Sequence, residues 1–142
     1  MVNPNSKQKG FTLLEIMVVV VILGLLVAIV APNVLDNQDR AMIEKTKADI
    51  SALEQALDMY KLDNLSYPTT DQGLESLVTK PGINPEPRNY RPNGYIKRLS
   101  KDPWGNPYQY LQPGEHGAFD IYSFGSDGEN DGEGQAADIG NW

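Results

Sequence analysis

The chain has 142 residues, no cysteine, and 12 Lys and Arg residues against 19 Asp and Glu residues, which gives a formal net charge of −7. The absence of cysteine excludes disulfides, thiolate nucleophiles and cysteine zinc sites. The acidic balance argues against DNA or RNA as a partner, because phosphate binding requires a concentrated basic surface. One apolar run takes up about 20 residues, so the rest can form only a small globular unit.

The first predicted element is a membrane helix at residues 11–31. Nearly every residue in this run is apolar, and at about 1.5 Å per residue it spans roughly 30 Å, the thickness of bilayer hydrocarbon. Lys7 and Lys9 precede the run, so we expect residues 1–10 to stay cytoplasmic and the remainder to face outward. A secretion signal cut by signal peptidase is disfavoured, because the run is too long and the A-x-A spacing is absent.

Two residues interrupt the apolar pattern. Glu15 lies where a carboxylate costs on the order of 2–3 kcal/mol if centrally placed, so it either reaches the headgroups or meets a partner. Pro32 lacks an amide hydrogen and crowds the preceding turn, which predicts a kink or local opening near residues 28–31. We expect the helix to resume after Pro32, and a plain break between two helices is the alternative.

An amphipathic helix is predicted at about residues 36–62. Its apolar residues recur at helical spacing, with acids and lysines between them; they are Ile43, Ile50, Leu53, Leu57 and Tyr60. Joined to the membrane helix, it would make one rod of roughly 75 Å.

Turns and short elements are predicted beyond Leu62, where eight of the ten prolines lie. Thr69 or Thr70 is the expected N-cap of a short helix at residues 71–78. Segments of β-type residues between turn signals, at residues 95–99, 108–111 and 119–124, predict a small antiparallel sheet on the apolar face of the helix. This is an α+β fold.

An acidic, glycine-rich loop is predicted at residues 127–138, with the sequence DGENDGEGQAAD. Oxygen-bearing residues hold its first, third, fifth and twelfth places, as in an EF-hand. Glu129 and Asp138 depart from that pattern, and a strand rather than a helix precedes the loop, so we reject an EF-hand. Crowded oxygen ligands still suit Ca²⁺, and a solvated acidic turn is the alternative.

No pattern in the sequence indicates catalysis. There is no H-E-x-x-H, no G-x-S-x-G and no phosphate-binding glycine loop. The single histidine, His116, is interpreted as a solvated loop residue. We therefore expect the protein not to be an enzyme.

The N-terminal string KGFTLLEIMVVVVILGLL resembles the class III signal of type IV pilins and of the pseudopilins of type II secretion systems. The resemblance implies that a prepilin peptidase cuts between Gly10 and Phe11, that the new Phe11 amine is methylated, and that the membrane helix is kept. Loss of residues 1–10 would change the formal net charge from −7 to −9. Glu15 would then neutralise the Phe11 amine of a neighbouring subunit, and Pro32 would mark a stretch that melts on filament packing.

Four further strings, ALDMYKLDN, YPTTDQGLESLV, DPWGNPYQY and ADIGNW, resemble the major pseudopilins of type II secretion, the G-type subunits. The absence of the disulfide usual in type IV pilins supports this narrower resemblance. It implies a type IV pilin-like fold in which a long N-terminal α-helix packs on the sheet and a C-terminal loop holds structural Ca²⁺. By motif, Asp127 and Asp138 are the expected ligands. Further candidates are Glu129, Asp131 and the backbone carbonyls of Phe124 and Gln135.

The resemblance implies three regions: a leader at residues 1–10, a membrane and filament-core helix at residues 11–31, and a periplasmic domain at residues 32–142. The implied function is a subunit that leaves the inner membrane and polymerises into a periplasmic pseudopilus, whose growth drives folded exoproteins across the outer membrane. Implied partners are other copies of the chain, minor pseudopilins, prepilin peptidase, an inner-membrane platform with its ATPase, a secretin and exoproteins. An adhesive or twitching type IV pilin, and a membrane-anchored calcium-binding protein that does not polymerise, are the alternatives.

Overall fold

The computed structural model describes residues 10–142, with the exception of the side chains of residues 31–35 and 135. The predicted leader, residues 1–10, therefore lies outside the described residues apart from Gly10. The structure divides into two compact units, one ending at Gln38 and the other spanning Asp39–Trp142.

The predicted long helix is present as α1, Leu13–Asn64. Within it, Leu13–Val30 has a mean hydropathy of 3.2 and none of its residues is buried, so by length and composition it could cross a membrane. The backbone stays helical through Pro32. Resumption of the helix after this proline is confirmed, whereas a plain break between two helices is wrong, and the predicted opening near residues 28–31 is absent from the described backbone.

The end of α1 is fixed by its own backbone and by Asn64. Leu65 adopts a left-handed φ of 66°, and its N–H donates to the Lys61 carbonyl at 2.7 Å. The Asn64 amide donates to the Tyr60 carbonyl at 3.0 Å. These bonds satisfy carbonyls that the last helical turn would otherwise leave free.

One face of α1 supplies half of the core of the second unit. The predicted apolar stripe is buried at Ile50, Leu53, Leu57 and Tyr60, and Ile43 is half-buried. These residues cluster with Tyr108, Tyr110, Phe119 and Ile121 from the sheet region. The predicted packing of a sheet on the helix is therefore confirmed.

The sheet has three antiparallel strands among the described residues, in the order β1 (Gln109–Leu111), β2 (Asp120–Ser123) and β3 (Ile139–Gly140). Tyr110 lies opposite Ile121, and Ser123 lies opposite Ile139. The strands predicted at residues 108–111 and 119–124 are confirmed with shorter bounds. β3 was not predicted, because two residues are too few to show an alternating pattern.

The strand predicted at residues 95–99 is wrong. The backbone N–H groups of Tyr95 and Ile96 both donate to the Leu77 carbonyl, at 2.7 and 3.1 Å, so this segment is tied to a helical turn rather than to the sheet. The Tyr95 ring packs on Tyr60 at 5.2 Å and on Tyr90 at 5.5 Å. The β-type residues of this segment pack against the core. Such packing favours the same residue types as a strand, so composition alone did not distinguish the two.

The short helix predicted at residues 71–78 is wrong in type and length. Thr69 Oγ1 accepts the Gln72 N–H at 3.3 Å and Gln72 Oε1 accepts the Thr69 N–H at 3.0 Å, but these bonds close a turn rather than cap a helix. The N-cap of the helix that forms is Gly73, without a side-chain hydrogen bond, so Thr69 and Thr70 are not its N-cap. Gly73 then adopts a φ of 62°, and only a 3-10 helix, Leu74–Leu77, follows. A left-handed residue at that point prevents an α-helix from continuing.

Candidate functional site

The start of α1 carries a reciprocal capping arrangement. Thr12 Oγ1 accepts the Glu15 N–H at 3.1 Å, and the Thr12 N–H lies 3.5 Å from Glu15 Oε2, which accepts it. Gly10 and the exposed Phe11 come before the helix. This cap was not predicted, although T-x-x-E before an apolar run is its usual signal. Glu15 is thus placed at the exposed first turn, close in sequence to the predicted cleavage position.

The connection between β2 and β3, residues 124–138, forms the C-terminal loop and folds tightly on itself. Gly125 adopts a φ of 71°, and a Cβ added there would lie 2.9 Å from the Ala137 carbonyl oxygen. A Cβ at Gly132 would collide with the Ala136 carbonyl oxygen. Only glycine allows these two close approaches, which bring backbone carbonyls into the interior of the loop.

The acidic side chains of this loop differ in their surroundings. Asp127, Glu129 and Asp131 are exposed, and Asp127 Oδ1 accepts the Glu129 N–H at 3.1 Å. Asp138 Oδ2 accepts the Asp131 N–H at 3.4 Å. Asp138 Oδ1 is buried and has no hydrogen-bond partner in the described part of the chain. A buried carboxylate oxygen without a partner is costly, so it marks a place where a cation would be stabilised.

A cavity of about 730 Å³ brings part of the predicted ligand set together. Phe124, Asp131 and Asp138 line it, whereas Asp127 and Glu129 are not among its lining residues. Within residues 10–142, no group of three or more His, Cys, Asp or Glu side chains is placed to hold a metal ion. Gln135 belongs to a 3-10 helix, Gly134–Ala136. The oxygen donors still suit Ca²⁺, because its coordination accepts backbone carbonyls beside two carboxylates.

His116, Asp120 and Trp142 form a cluster on the same cavity. Asp120 is 2% exposed, and it accepts hydrogen bonds from the Glu115 N–H at 2.8 Å and from His116 Nδ1 at 3.0 Å. The His116 ring stacks on Trp142 with centroids 4.0 Å apart. His116 is an exposed loop residue, as interpreted from the sequence. Its ring also has two partners that the sequence did not indicate, the Asp120 carboxylate and the Trp142 ring.

Among the described residues, the lining of the cavity is acidic: it includes Glu115, Asp120, Asp131 and Asp138 and neither lysine nor arginine. Burial would raise the pKa of Asp120, but the hydrogen bonds from His116 and Glu115 outweigh it and lower that pKa below its usual value. Burial raises the pKa of Tyr122, and the charges of Asp138, Glu115 and Asp120 raise it further. The region around the cavity thus favours cations over anions.

Two further polar residues, the buried Asp102 and the half-buried Asn141, fix the backbone near the cavity. Asp102 Oδ1 accepts the N–H groups of Trp104 and Asn106 at 3.1 and 2.7 Å, and its Oδ2 accepts the Ser123 hydroxyl. Asn141 exchanges hydrogen bonds with Ile121 and donates to Glu54 of α1 at 3.1 Å. The turn sequence DPWGN could have indicated that Asp102 bonds to the backbone of its own turn. No local pattern could have indicated the hydrogen bonds of Asn141, because its partners are distant in sequence.

Two family models match this chain. Residues 5–31 match the prokaryotic N-terminal methylation motif, and residues 33–142 match type II secretion system (T2SS), protein G. The chain belongs to the type II secretion system protein G family. The predicted resemblance to G-type subunits is thereby confirmed.

Relatives in this family match along nearly the whole chain. The type II secretion system core protein G of Vibrio cholerae is 68% identical over 136 residues, which cover 96% of this chain and 92% of the relative. The protein of the same name from Pseudomonas aeruginosa is 60% identical over 138 residues, or 97% of each chain. A crystal structure of the major pseudopilin from enterohaemorrhagic Escherichia coli is 55% identical, with a TM-score of 0.71 over 78% of this chain and 95% of that chain.

These comparisons decide between the functional classes considered from the sequence. The fold is that of a type IV pilin-like pseudopilin, with a long N-terminal helix and a small antiparallel sheet. The chain is a structural pilin-like subunit of type II secretion, of the major pseudopilin kind. This favours the main interpretation over an adhesive pilin and over a membrane-anchored protein that does not polymerise.

Proposed function

We propose that the chain polymerises into the periplasmic pseudopilus of a type II secretion system, whose growth drives folded exoproteins through an outer-membrane secretin. The observation that carries this proposal is the protein G match over residues 33–142 in a chain that also has the exposed apolar span Leu13–Val30. Such a span requires lipid or other copies of itself to cover it. Lipid covers the span while the subunit is in the membrane, and the helices of neighbouring subunits cover it in the fibre. A structural role of this kind needs no catalytic centre.

The membrane stage of this proposal has a defined orientation. Residues 1–10 remain cytoplasmic because Lys7 and Lys9 precede the span, and the Asp39–Trp142 unit faces the periplasm. Prepilin peptidase removes the leader between Gly10 and Phe11, and the Phe11 amine is methylated. The match to the methylation motif at residues 5–31 supports this processing. The assembly ATPase, its membrane platform and the minor pseudopilins are the proposed partners.

Glu15 has a role in assembly besides capping its own helix. Its Oε2 accepts the Thr12 N–H, which leaves Oε1 able to bind the cationic Phe11 amine of the next subunit. The Glu15 carboxylate and the Phe11 amine both lose their hydration when subunits pack, so each needs the opposite charge as a partner. The pair would set the axial stagger between neighbouring helices.

The test is the yield of pseudopili and of secreted exoprotein in a host whose own protein G is deleted and replaced by this chain. Glu15→Gln leaves the cationic Phe11 amine of the neighbouring subunit without a counter-charge, and an unpaired charge in the membrane core costs on the order of 2–3 kcal/mol. The variant should therefore lower pseudopilus yield by at least about tenfold while the subunit still enters the membrane. Thr12→Ala is the matched control, since it removes the cap but keeps the carboxylate. Normal assembly and secretion by Glu15→Ala would rule out the charge-pairing step.

The proposed function includes a structural Ca²⁺ in the C-terminal loop. Asp127 and Asp138 would hold it, with Glu129, Asp131 and the carbonyls of Phe124 and Gln135 as further ligands. The partnerless Asp138 Oδ1 supports this ligand set. When bound, the ion would supply positive charge that neutralises the loop's carboxylates and links its two ends.

A further inference from the structure

The charges of this chain are segregated along its sequence. Six of its 12 Lys and Arg residues lie within residues 80–101, which contain only one acid, Glu86. These six residues define the basic segment and are Lys80, Arg88, Arg91, Lys97, Arg98 and Lys101. No Lys or Arg follows Lys101, whereas eight Asp and Glu residues do.

The acidic side is concentrated in one exposed stretch. Asp127, Glu129, Asp131 and Glu133 alternate along residues 127–133 and are all exposed. This stretch is called the acidic strip below. The Glu133 carboxylate lies outside the proposed Ca²⁺ ligand set, so a bound ion would not occupy it.

The two regions do not neutralise each other within one copy. The basic segment makes ion pairs through Lys80 with Glu86 at 3.7 Å and through Arg91 with Asp63 at 2.6 Å. Among residues 10–142, no ion pair joins it to an acid that follows Lys101, and neither Arg88 nor Glu133 takes part in any ion pair. Complementary charges that are unpaired within a molecule are available for pairing between molecules.

The basic segment also offers a place for a carboxylate to enter. A cavity of about 440 Å³ is bounded by Thr79, Lys80, Pro87, Arg88, Tyr90 and Pro92. Lys80 and Arg88 both line this cavity, so a carboxylate placed there would lie beside two cations.

We propose that this cavity, called the basic pocket below, receives the acidic strip of a second copy of the chain, with Glu133 meeting Arg88. The proposal rests on the proposed function, because it describes one contact of the filament. A surface that binds a different surface of an identical partner makes a head-to-tail interface, and repetition of such an interface builds an open helical fibre. Both complementary surfaces lie on the same chain, which favours a second copy over an unrelated partner.

The first test is a cysteine cross-link in assembled pseudopili, which the cysteine-free chain makes unambiguous. Two full-length chains, one with Arg88→Cys and one with Glu133→Cys, are produced together and distinguished by tags. A bismaleimide whose spacer matches the reach of an Arg–Glu pair should link the two differently tagged chains, because a direct disulfide requires closer Cα atoms than such a pair provides. A control pair, Lys47→Cys with Glu133→Cys, should give no link, because Lys47 belongs to α1 and not to the basic segment.

The second test is a charge exchange. Because like charges at an interface are strongly unfavourable, Arg88→Glu should lower pseudopilus yield by roughly tenfold or more, and Glu133→Arg in the same chain should restore it. Neither side chain makes an ion pair in the folded subunit, so both single variants should unfold at the wild-type temperature. Lys47→Glu, a charge reversal on α1, should leave the yield unchanged.

The outcomes separate this inference from the proposed function. The docking inference is overturned if the cysteine pair assembles without a cross-link and Arg88→Glu forms pseudopili in normal yield. That result would leave the proposed filament function intact. A wild-type chain that forms no pseudopili in a complete secretion system overturns the proposed function itself.

Discussion

Asp120 shows how one buried carboxylate organises the turn between β1 and β2. It accepts the N–H groups of Glu115 and His116 and the His116 ring nitrogen. His116 in turn stacks on Trp142, so the carboxylate also helps to position Trp142, two residues after β3. Hydrogen bonds to a charged group contribute about 1.5–3 kcal/mol each when the partner group is buried.

Asp120→Asn should lower the free energy of unfolding of a fragment beginning at residue 36 by about 2 kcal/mol at pH 7. Because the pKa of Asp120 is lowered in the folded state, its contribution is present above the unfolded pKa of about 3.9 and is lost as pH falls through the lower folded value. Urea unfolding at pH 6 and at successive values below pH 4 should therefore show the two proteins converging. Glu115→Gln, an exposed change in the same turn, is the control, and a constant difference at every pH would contradict the prediction.

At the scale of elements, the second half of α1 shows why helical periodicity is informative. Leu57 and Leu62 lie on one helix, yet Leu57 is fully buried and Leu62 is 78% exposed. Their five-residue separation places them on different faces of a 3.6-residue helix. The spacing of apolar residues is therefore sufficient to identify the core-facing side of this helix.

Leu57→Ala should lower the free energy of unfolding by about 2–5 kcal/mol, because it removes buried methyl groups and leaves a cavity. Leu62→Ala, the same chemical change on the solvent face, should alter it by no more than about 0.5 kcal/mol. Urea denaturation of the fragment beginning at residue 36 measures both. Equal losses for the two variants would contradict the burial of this helix face.

The short elements beyond α1 were harder to predict from the same kind of pattern. The segment at residues 95–99 has strand-like composition but packs its tyrosine against Tyr60 and Tyr90. β3 has only two residues, and it pairs with β2 through contacts that span the whole C-terminal loop. In each case a distant partner decided the local structure, so local propensity was a poor guide.

At the scale of the whole molecule, the small second unit has no disulfide, so a bound ion would be a sizeable part of its stability. Saturating Ca²⁺ should raise the midpoint of thermal unfolding of the fragment by several degrees relative to a chelator. An ion present at about 100 times its dissociation constant adds about 2.7 kcal/mol. Asp127→Ala and Asp138→Ala should remove most of this difference.

Glu133→Ala is the matched control for this measurement, because it removes an acid from the same loop but outside the proposed ligand set. It should keep the full calcium-dependent rise. Equal midpoints for the wild-type fragment with Ca²⁺ and with chelator would identify the loop as a solvated acidic turn. Assembly would then rest on the N-terminal signal and on helix packing alone.

The sequence by itself determined the long apolar span at the start of α1, the core-facing stripe of α1, two of the three strands of the described sheet and the family, because these depend on hydrophobic periodicity and on local motifs. Only the tertiary structure decided the pairing of β3, the packing of Tyr95, and the burial of Asp120 and of Asp138 Oδ1. The physical reason is that burial and hydrogen bonding join residues far apart along the chain. A sequence pattern records which groups need partners, and the folded chain selects the partners.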